Sequence, residues 1–177
     1  MSPRIKLLAT LLALAPALQA AEPVRAVERV DLRRYAGTWY EQAHLPLFFQ
    51  RDCARDTTAT YTLRDDGRID VLNRCTKADG TTKQANGVAR RVGDSTSKLE
   101  VRFAPAAFSF LPFVWGDYWI IDLDEDYRWA LVGTPSRDNL WILSRDRVLD
   151  PTVRTGLVER ARAMGYPVEK LIDTPQG

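Results

Sequence analysis

The 177-residue sequence predicts an all-β domain, a sandwich or an up-and-down barrel, followed by one α-helix. Two observations carry this prediction. Eight short segments rich in β-branched and aromatic residues follow one another between residues 39 and 145, each bounded by Gly, Pro, Asn or Asp turn signals. Beyond residue 150 the apolar spacing changes from the period of a strand to that of a helix. The length suits a single domain with a real core. Hydrophobic residues at 45% and aromatics at 10% exclude a disordered chain.

The first segment is not part of that domain. Arg4 and Lys6 precede an apolar run, Leu7 to Leu18, and small residues follow at Ala20 and Ala21. This reads as a signal peptide over residues 1–20. The run spans 12 residues, whereas a bilayer needs about 17–25. No cysteine stands where a lipid-anchored bacterial precursor would be cleaved. The expected product is therefore unanchored, in the periplasm or secreted. Without Arg4 and Lys6 it carries 23 Lys+Arg and 23 Asp+Glu. Such a balance offers no single-sign field to nucleic acid or anionic membranes.

Residues 21–30 form a polar leader without a clear period, and the domain is expected over 31–173, with 174–177 as a tail. Asp31 to Tyr35 reads as a short turn capped by Asp31. The strands are then expected at Trp39–Leu45, Thr57–Leu63, Ile69–Cys75 and Lys83–Val92. The second four follow at Lys98–Phe103, Asp117–Leu123, Tyr127–Thr134 and Asn139–Arg145. Asp65-Asp66-Gly67 and Asp124-Glu125-Asp126 supply hairpin turns. Asp150-Pro151 gives an N-cap and a first-turn proline, and Val153, Leu157, Val158 and Ala161 recur at helical spacing. Gly165 closes this helix, expected over Pro151–Met164, and Val168–Ile172 reads as a short extra strand.

Few residues suggest reaction chemistry. The single histidine, His44, has no G-x-S-x-G elbow to serve, and Cys53 and Cys75 lack C-x-x-C spacing. Two cysteines in an exported chain usually pair; two free thiols or a redox pair are the alternatives. Neither a structural metal, which takes four N or S ligands, nor a cofactor is expected. Glu41 is the one carboxylate expected to be buried, as partner to an interior arginine.

Three motifs then specify the architecture. Gly37-Thr38-Trp39-Tyr40 opens the first strand, Gly116-Asp117-Tyr118 opens the sixth, and Arg145 ends the eighth. With these motifs in order, the chain resembles the lipocalin family, and in particular its bacterial, apolipoprotein D-like branch. The resemblance covers about residues 31–173. It rests on a G-x-W signature at Gly37 and Trp39, a T-D-Y signature lacking its Thr at Asp117 and Tyr118, and the terminal Arg145.

This resemblance implies an eight-stranded antiparallel up-and-down β-barrel of the lipocalin (calycin) type, with the C-terminal helix packed outside. It also implies a carrier of small lipophilic ligands such as fatty acids or lysophospholipids. The physical reading agrees with it. An eight-stranded barrel needs a plug at one end, and a large ring with a stacked guanidinium supplies one. If Trp39 begins a strand at the plugged end, the loops 46–56, 76–82, 104–114 and 135–138 fall at the open end. Cys53 and Cys75 both fall there, so a bridge between them would pin the longest mouth loop.

The open-end segment 103–115 is unusually apolar, with Phe103, Phe108, Phe110, Phe113 and Trp115. It is expected to cover a cavity; a homodimer interface and packing on the barrel's outside are the alternatives. Strand alternation points Tyr61, Val71, Leu99, Val101, Trp119, Ile121, Trp129, Leu131, Trp141 and Leu143 inward. The candidate ligand contacts are thus Tyr61, Phe103, Phe108, Phe110, Phe113, Trp115, Trp119, Leu131 and Trp141. Tyr61, Glu41, Asn73, Arg51 and Arg55 are the candidates to hold a headgroup. No catalytic residue is assigned. An interaction protein working through the Phe-rich loop, and an enzyme acting on a lipid, are the rival functions.

Overall fold

In the computed structural model, which describes residues 21–177, eight strands close into a barrel. They are β1 (Gly37–His44), β2 (Cys53–Leu63), β3 (Ile69–Lys77) and β4 (Thr82–Arg91). β5 (Lys98–Arg102), β6 (Gly116–Leu123), β7 (Trp129–Gly133) and β8 (Leu140–Ser144) complete it. Each pairs antiparallel with the next, and β1 pairs with both β2 and β8, so the wall is continuous. The signal-peptide reading of residues 1–20 lies outside the described residues.

The expected helices form where the capping chemistry places them. α1 (Leu32–Tyr35) is one turn whose first amides are capped by Asp31. α2 (Pro151–Ala163) starts at Asp150, whose carboxylate accepts from the amides of Thr152 and Val153 at 2.8 and 3.1 Å. It ends before Gly165, which takes a left-handed φ of 81°.

The barrel has two apolar cores. Inside lie Trp39, Tyr35, Tyr61, Val71, Leu99 and Leu143, among others. Outside, Leu157 and Ala161 of α2 pack with Ala43, Leu131, Leu140 and Ile142 of the wall. Strands β6, β7 and β8 are therefore apolar on both faces. A strand covered on both faces loses the alternation that tells inside from outside.

That loss overturns part of the predicted facing. Trp119, Ile121, Trp129 and Leu131 belong to the outer core under α2, not to the barrel interior. Their neighbours Tyr118, Ile120, Ala130 and Val132 face inward instead. The register agrees: Leu131 stands opposite Ile142 and Ala130 opposite Leu143. A bulge between Ile120 and Asp122 further shifts the β6–β7 pairing.

The ends of the domain also differ from expectation. Val168–Lys170 forms a turn of 3₁₀ helix rather than a strand, with only Ile172–Asp173 (β9) pairing beside Ala43 and His44 of β1. The stretch begins just after Pro167, which has no backbone N–H to donate to a ladder. The leader is anchored: Val27 donates to the Ile120 carbonyl and Val30 is buried in the inner core. The tail fills a gap where β1 and β2 diverge above Tyr40 and Thr58. There the Gln176 amide donates to the carbonyls of Glu41 and Thr57 at 2.7 and 2.9 Å.

Candidate functional site

The closed end is sealed by Trp39 and Arg145. Trp39 has no solvent exposure, and its indole N–H donates to the Tyr35 carbonyl at 2.8 Å. The Arg145 guanidinium lies 3.9 Å from the Trp39 ring centroid. Its Nη2 donates to the carbonyls of Arg34, Tyr35 and Ala36, and its Nη1 to that of Thr38. A charge held over a ring and saturated with carbonyls can close an apolar barrel without being stranded. Gly37 is required here twice. Its φ is 97°, and a Cβ on it would meet Arg145 Nη1 at 3.2 Å. The Asp-Tyr pair that reaches this cluster is Asp126-Tyr127, whose Tyr127 carbonyl faces Arg145 Nε at 3.4 Å. Asp117 and Tyr118 instead line the barrel cavity.

Above the plug is a cavity of about 680 Å³. That size is within the range of small-molecule sites, about 300–1,000 Å³. Ile69, Val71, Ala89, Leu99, Val101 and Leu143 form its apolar walls. Tyr35, Tyr61 and Tyr118 form a hydroxyl-bearing floor, in which Tyr118 Oη lies 2.8 Å from both Tyr35 Oη and Tyr61 Oη. Burial pushes all three phenols above their ordinary pKa, so they are neutral hydrogen-bonding groups at physiological pH.

Other polar groups are fixed around the wall. Glu41 is buried, but its partner is not an arginine. It accepts from Gln50 Nε2 at 2.8 Å and Thr174 Oγ1 at 2.6 Å, and His44 Nε2 lies 3.9 Å away. Gln50 also accepts from the Trp141 indole at 3.2 Å. Neutral amide and hydroxyl donors thus do what the interior arginine was expected to do. Asn73 lines the cavity as expected. Arg51 and Arg55 do not; Arg55 is drawn to Asp56 outside, and of the lining cations Arg74 and Lys83, Lys83 is paired with Asp52 at 3.0 Å.

The open end is framed by phenylalanine. All six Phe of the sequence lie in the two loops 45–52 and 103–115, and each is at least 42% exposed. Phe48, Phe49, Phe103 and Phe113, with Trp115, line the cavity mouth. Gly87 makes room for Phe103, since a Cβ there would meet the ring at 2.8 Å. Phe108 and Phe110 are correctly placed on the mouth loop but do not line the cavity. The loop folds into two 3₁₀ turns, Ala106–Phe108 and Pro112–Val114, and these turn the two rings outward to solvent. A Cys53–Cys75 disulfide ties the start of β2 to β3 beside the mouth.

Of the predicted contacts, Tyr61, Phe103, Phe113, Trp115 and Trp141 converge on one cavity, while Trp119 and Leu131 do not. Sequence reasoning missed Tyr35, Phe48 and Phe49. The Phe48-Phe49 pair was a usable signal, an apolar step inside an open-end loop. Tyr35 had none, because a capped turn does not disclose where its ring points.

A lipocalin-like domain family model matches residues 30–176. Temperature-induced lipocalin-1 of Arabidopsis thaliana is 42% identical over 152 residues, covering 85% of this chain and 81% of that protein. The outer membrane lipoprotein Blc of Escherichia coli strain K12 is 41% identical over 151 residues, covering 84% and 81%. Apolipoprotein D of Mus musculus is 34% identical over 158 residues, covering 84% and 78%. Among solved structures, insecticyanin from the tobacco hornworm Manduca sexta superposes with a TM-score of 0.67 at 20% identity, covering 89% of this chain and 87% of that one.

Proposed function

The chain belongs to the lipocalin family, and from that premise we propose that it binds and carries small lipophilic ligands, with fatty acids and lysophospholipids as the leading classes. One observation carries this reading: a cavity of about 680 Å³ with apolar walls, sealed below by Trp39 and Arg145 and open above between Phe-lined loops. Such a site gains affinity from buried apolar area, at about 25 cal/mol per Å². Arg74 at the lining suits a carboxylate or phosphate headgroup near the mouth, whereas Lys83 is already paired with Asp52. Tyr61, Phe103, Phe113, Trp115 and Trp141 are the residues expected to touch the ligand.

The cavity reads as a binding site rather than a catalytic one. Glu41, its best candidate acid, is held by Gln50 and Thr174. Relatives named as outer membrane lipoproteins favour a cell-envelope location. Cys53 and Cys75 are bonded to each other, which leaves neither for acylation.

Native mass spectrometry of the purified protein, with organic extraction of what co-purifies, tests this reading. A stoichiometric fatty acid or lysolipid is the expected result. A barrel that is empty and ignores both classes when they are added overturns it.

A second reading has its own observation. Phe48, Phe110 and Phe113 are 76–82% exposed, and exposed apolar patches mark contact surfaces. A second copy docking through this face would appear as a concentration-dependent dimer in sedimentation, abolished by Phe110→Ser with Phe113→Ser.

A further inference from the structure

The floor of the cavity is polar in a way that a plain hydrocarbon end would not require. Tyr35 comes from the turn before β1, Tyr61 from β2 and Tyr118 from β6. Their rings form part of an aromatic chain across the barrel. Trp39 and Tyr35 (centroids 4.9 Å apart) and Tyr35 and Tyr61 (5.6 Å) meet at a tilt, Tyr61 meets Tyr118 edge-on (5.9 Å), and Tyr118 stacks with Trp141 (6.5 Å). The three hydroxyls meet at Tyr118.

Their hydrogen bonds can be counted. Three phenols carry three O–H donors. The two contacts at Tyr118 use two of them, and among the described residues none of the three hydroxyls has a further partner. One O–H and several lone pairs are therefore unspent, on groups that all line the cavity. A methyl terminus pressed against them would desolvate these groups and return no hydrogen bond. A hydroxyl or carbonyl oxygen in the same place would accept the remaining proton.

Charge distribution sets the ligand's direction. The cations on the lining, Arg74 and Lys83, lie on β3 and β4 near the disulfide and the Phe49 loop, and Lys83 is already held by the Asp52 carboxylate and the Phe49 carbonyl, each at 3.0 Å. At the other end Arg145 is committed to backbone carbonyls below the Trp39 ring. Glu41, which also lines the cavity, disfavours a carboxylate deep inside. The floor therefore offers no cation to an anionic headgroup, which is left to the mouth, and a neutral oxygen fits the floor.

We infer that the Tyr35–Tyr118–Tyr61 hydroxyl cluster is a ligand subsite, and that the preferred cargo is an acyl chain oxygenated at its far end, as in an ω-hydroxy or terminal-keto fatty acid. This rests on the reading of the cavity as a lipophile site. A site built to hydrogen-bond a hydroxyl discriminates against the analogue that lacks it.

The test is calorimetric titration of the wild-type protein and of the triple variant Tyr35→Phe, Tyr61→Phe, Tyr118→Phe, which alone leaves no free cluster O–H, with an ω-hydroxy fatty acid and with its methyl-terminated parent of equal length. A crystal structure of the ω-hydroxy complex accompanies it. Thermal unfolding checks that the triple variant folds; if it does not, the wild-type preference between the two acids and the position of the terminal oxygen carry the test. The wild type is expected to bind the ω-hydroxy acid about tenfold more tightly than the triple variant does, with the parent acid little changed. The terminal oxygen is expected within hydrogen-bonding distance of the cluster. Equal loss for both ligands, or a wild-type preference for the parent, or the terminal oxygen at the mouth overturns the subsite but leaves a lipid carrier. If neither acid binds the wild type, the lipophile reading itself fails, and the subsite with it.

Discussion

The Arg145 guanidinium stacks 3.9 Å from the Trp39 ring and at the same time joins the start of β1 to the turn before it. Four backbone carbonyls, of Arg34, Tyr35, Ala36 and Thr38, accept its protons. Arg145→Ala is expected to destabilise the fold by about 2–4 kcal/mol, combining the lost cation–π contact and the carbonyls left without donors. Arg145→Lys recovers only part of this, because an ammonium cannot span the same carbonyls. Chemical denaturation of the three proteins measures both effects. A change below about 0.5 kcal/mol for Arg145→Ala, the size of an ordinary surface substitution, would show that the plug is ornamental.

Leu131 and Trp141 make a matched pair on opposite faces of neighbouring strands. Leu131 is fully buried in the outer core, whereas Trp141 lines the cavity. Leu131→Ala is expected to cost about 3 kcal/mol of stability and to leave ligand affinity unchanged. Trp141→Ala is expected to weaken binding of an environment-sensitive fluorescent fatty acid. Titration of that probe into the two variants separates the effects, and a loss of affinity in Leu131→Ala would contradict the facing assigned to β7.

Reduction of the Cys53–Cys75 bond releases a loop whose ends are 22 residues apart. The chain-entropy model gives a loss of about 3 kcal/mol. Thermal melts with and without a reductant are expected to differ accordingly. Cys53→Ser with Cys75→Ser is expected to match the reduced protein.

Alkali is expected to unfold the barrel through its tyrosines. Burial raises Tyr35, Tyr61 and Tyr118 above the ordinary value of 10.0. It pushes Tyr166, whose hydroxyl donates to the Thr134 carbonyl, up to about 12. The folded state therefore holds these protons after the unfolded chain has released them. Stability is fully present below pH 10 and is lost as the pH rises from there through the folded-state values. Tyrosinate absorbance followed with far-ultraviolet circular dichroism is expected to show these groups ionising together with unfolding. Ionisation of all six tyrosines near the ordinary value in a folded protein would refute the buried cluster.

Local chemistry determined a large part of this protein from the sequence alone. The eight strands, the turns at 64–68 and 124–128 and the helix cap at Asp150 follow from residue types at fixed spacing. Trp39 and Arg145 were legible as a plug through the G-x-W and terminal-Arg motifs of the lipocalin resemblance, to which an eight-stranded barrel's need for a closed end gives the physical reason. The apolar 103–115 loop was legible as a mouth because apolar residues are out of place in a loop. Tertiary structure alone decided which face of β6, β7 and β8 looks inward, because α2 buries their outer face and removes the polar alternation that would have marked it. It also decided that Tyr35, Tyr61 and Tyr118, far apart in the chain, meet at their hydroxyls. Periodicity reports the environment of one strand, whereas such a meeting depends on the closure of the whole barrel.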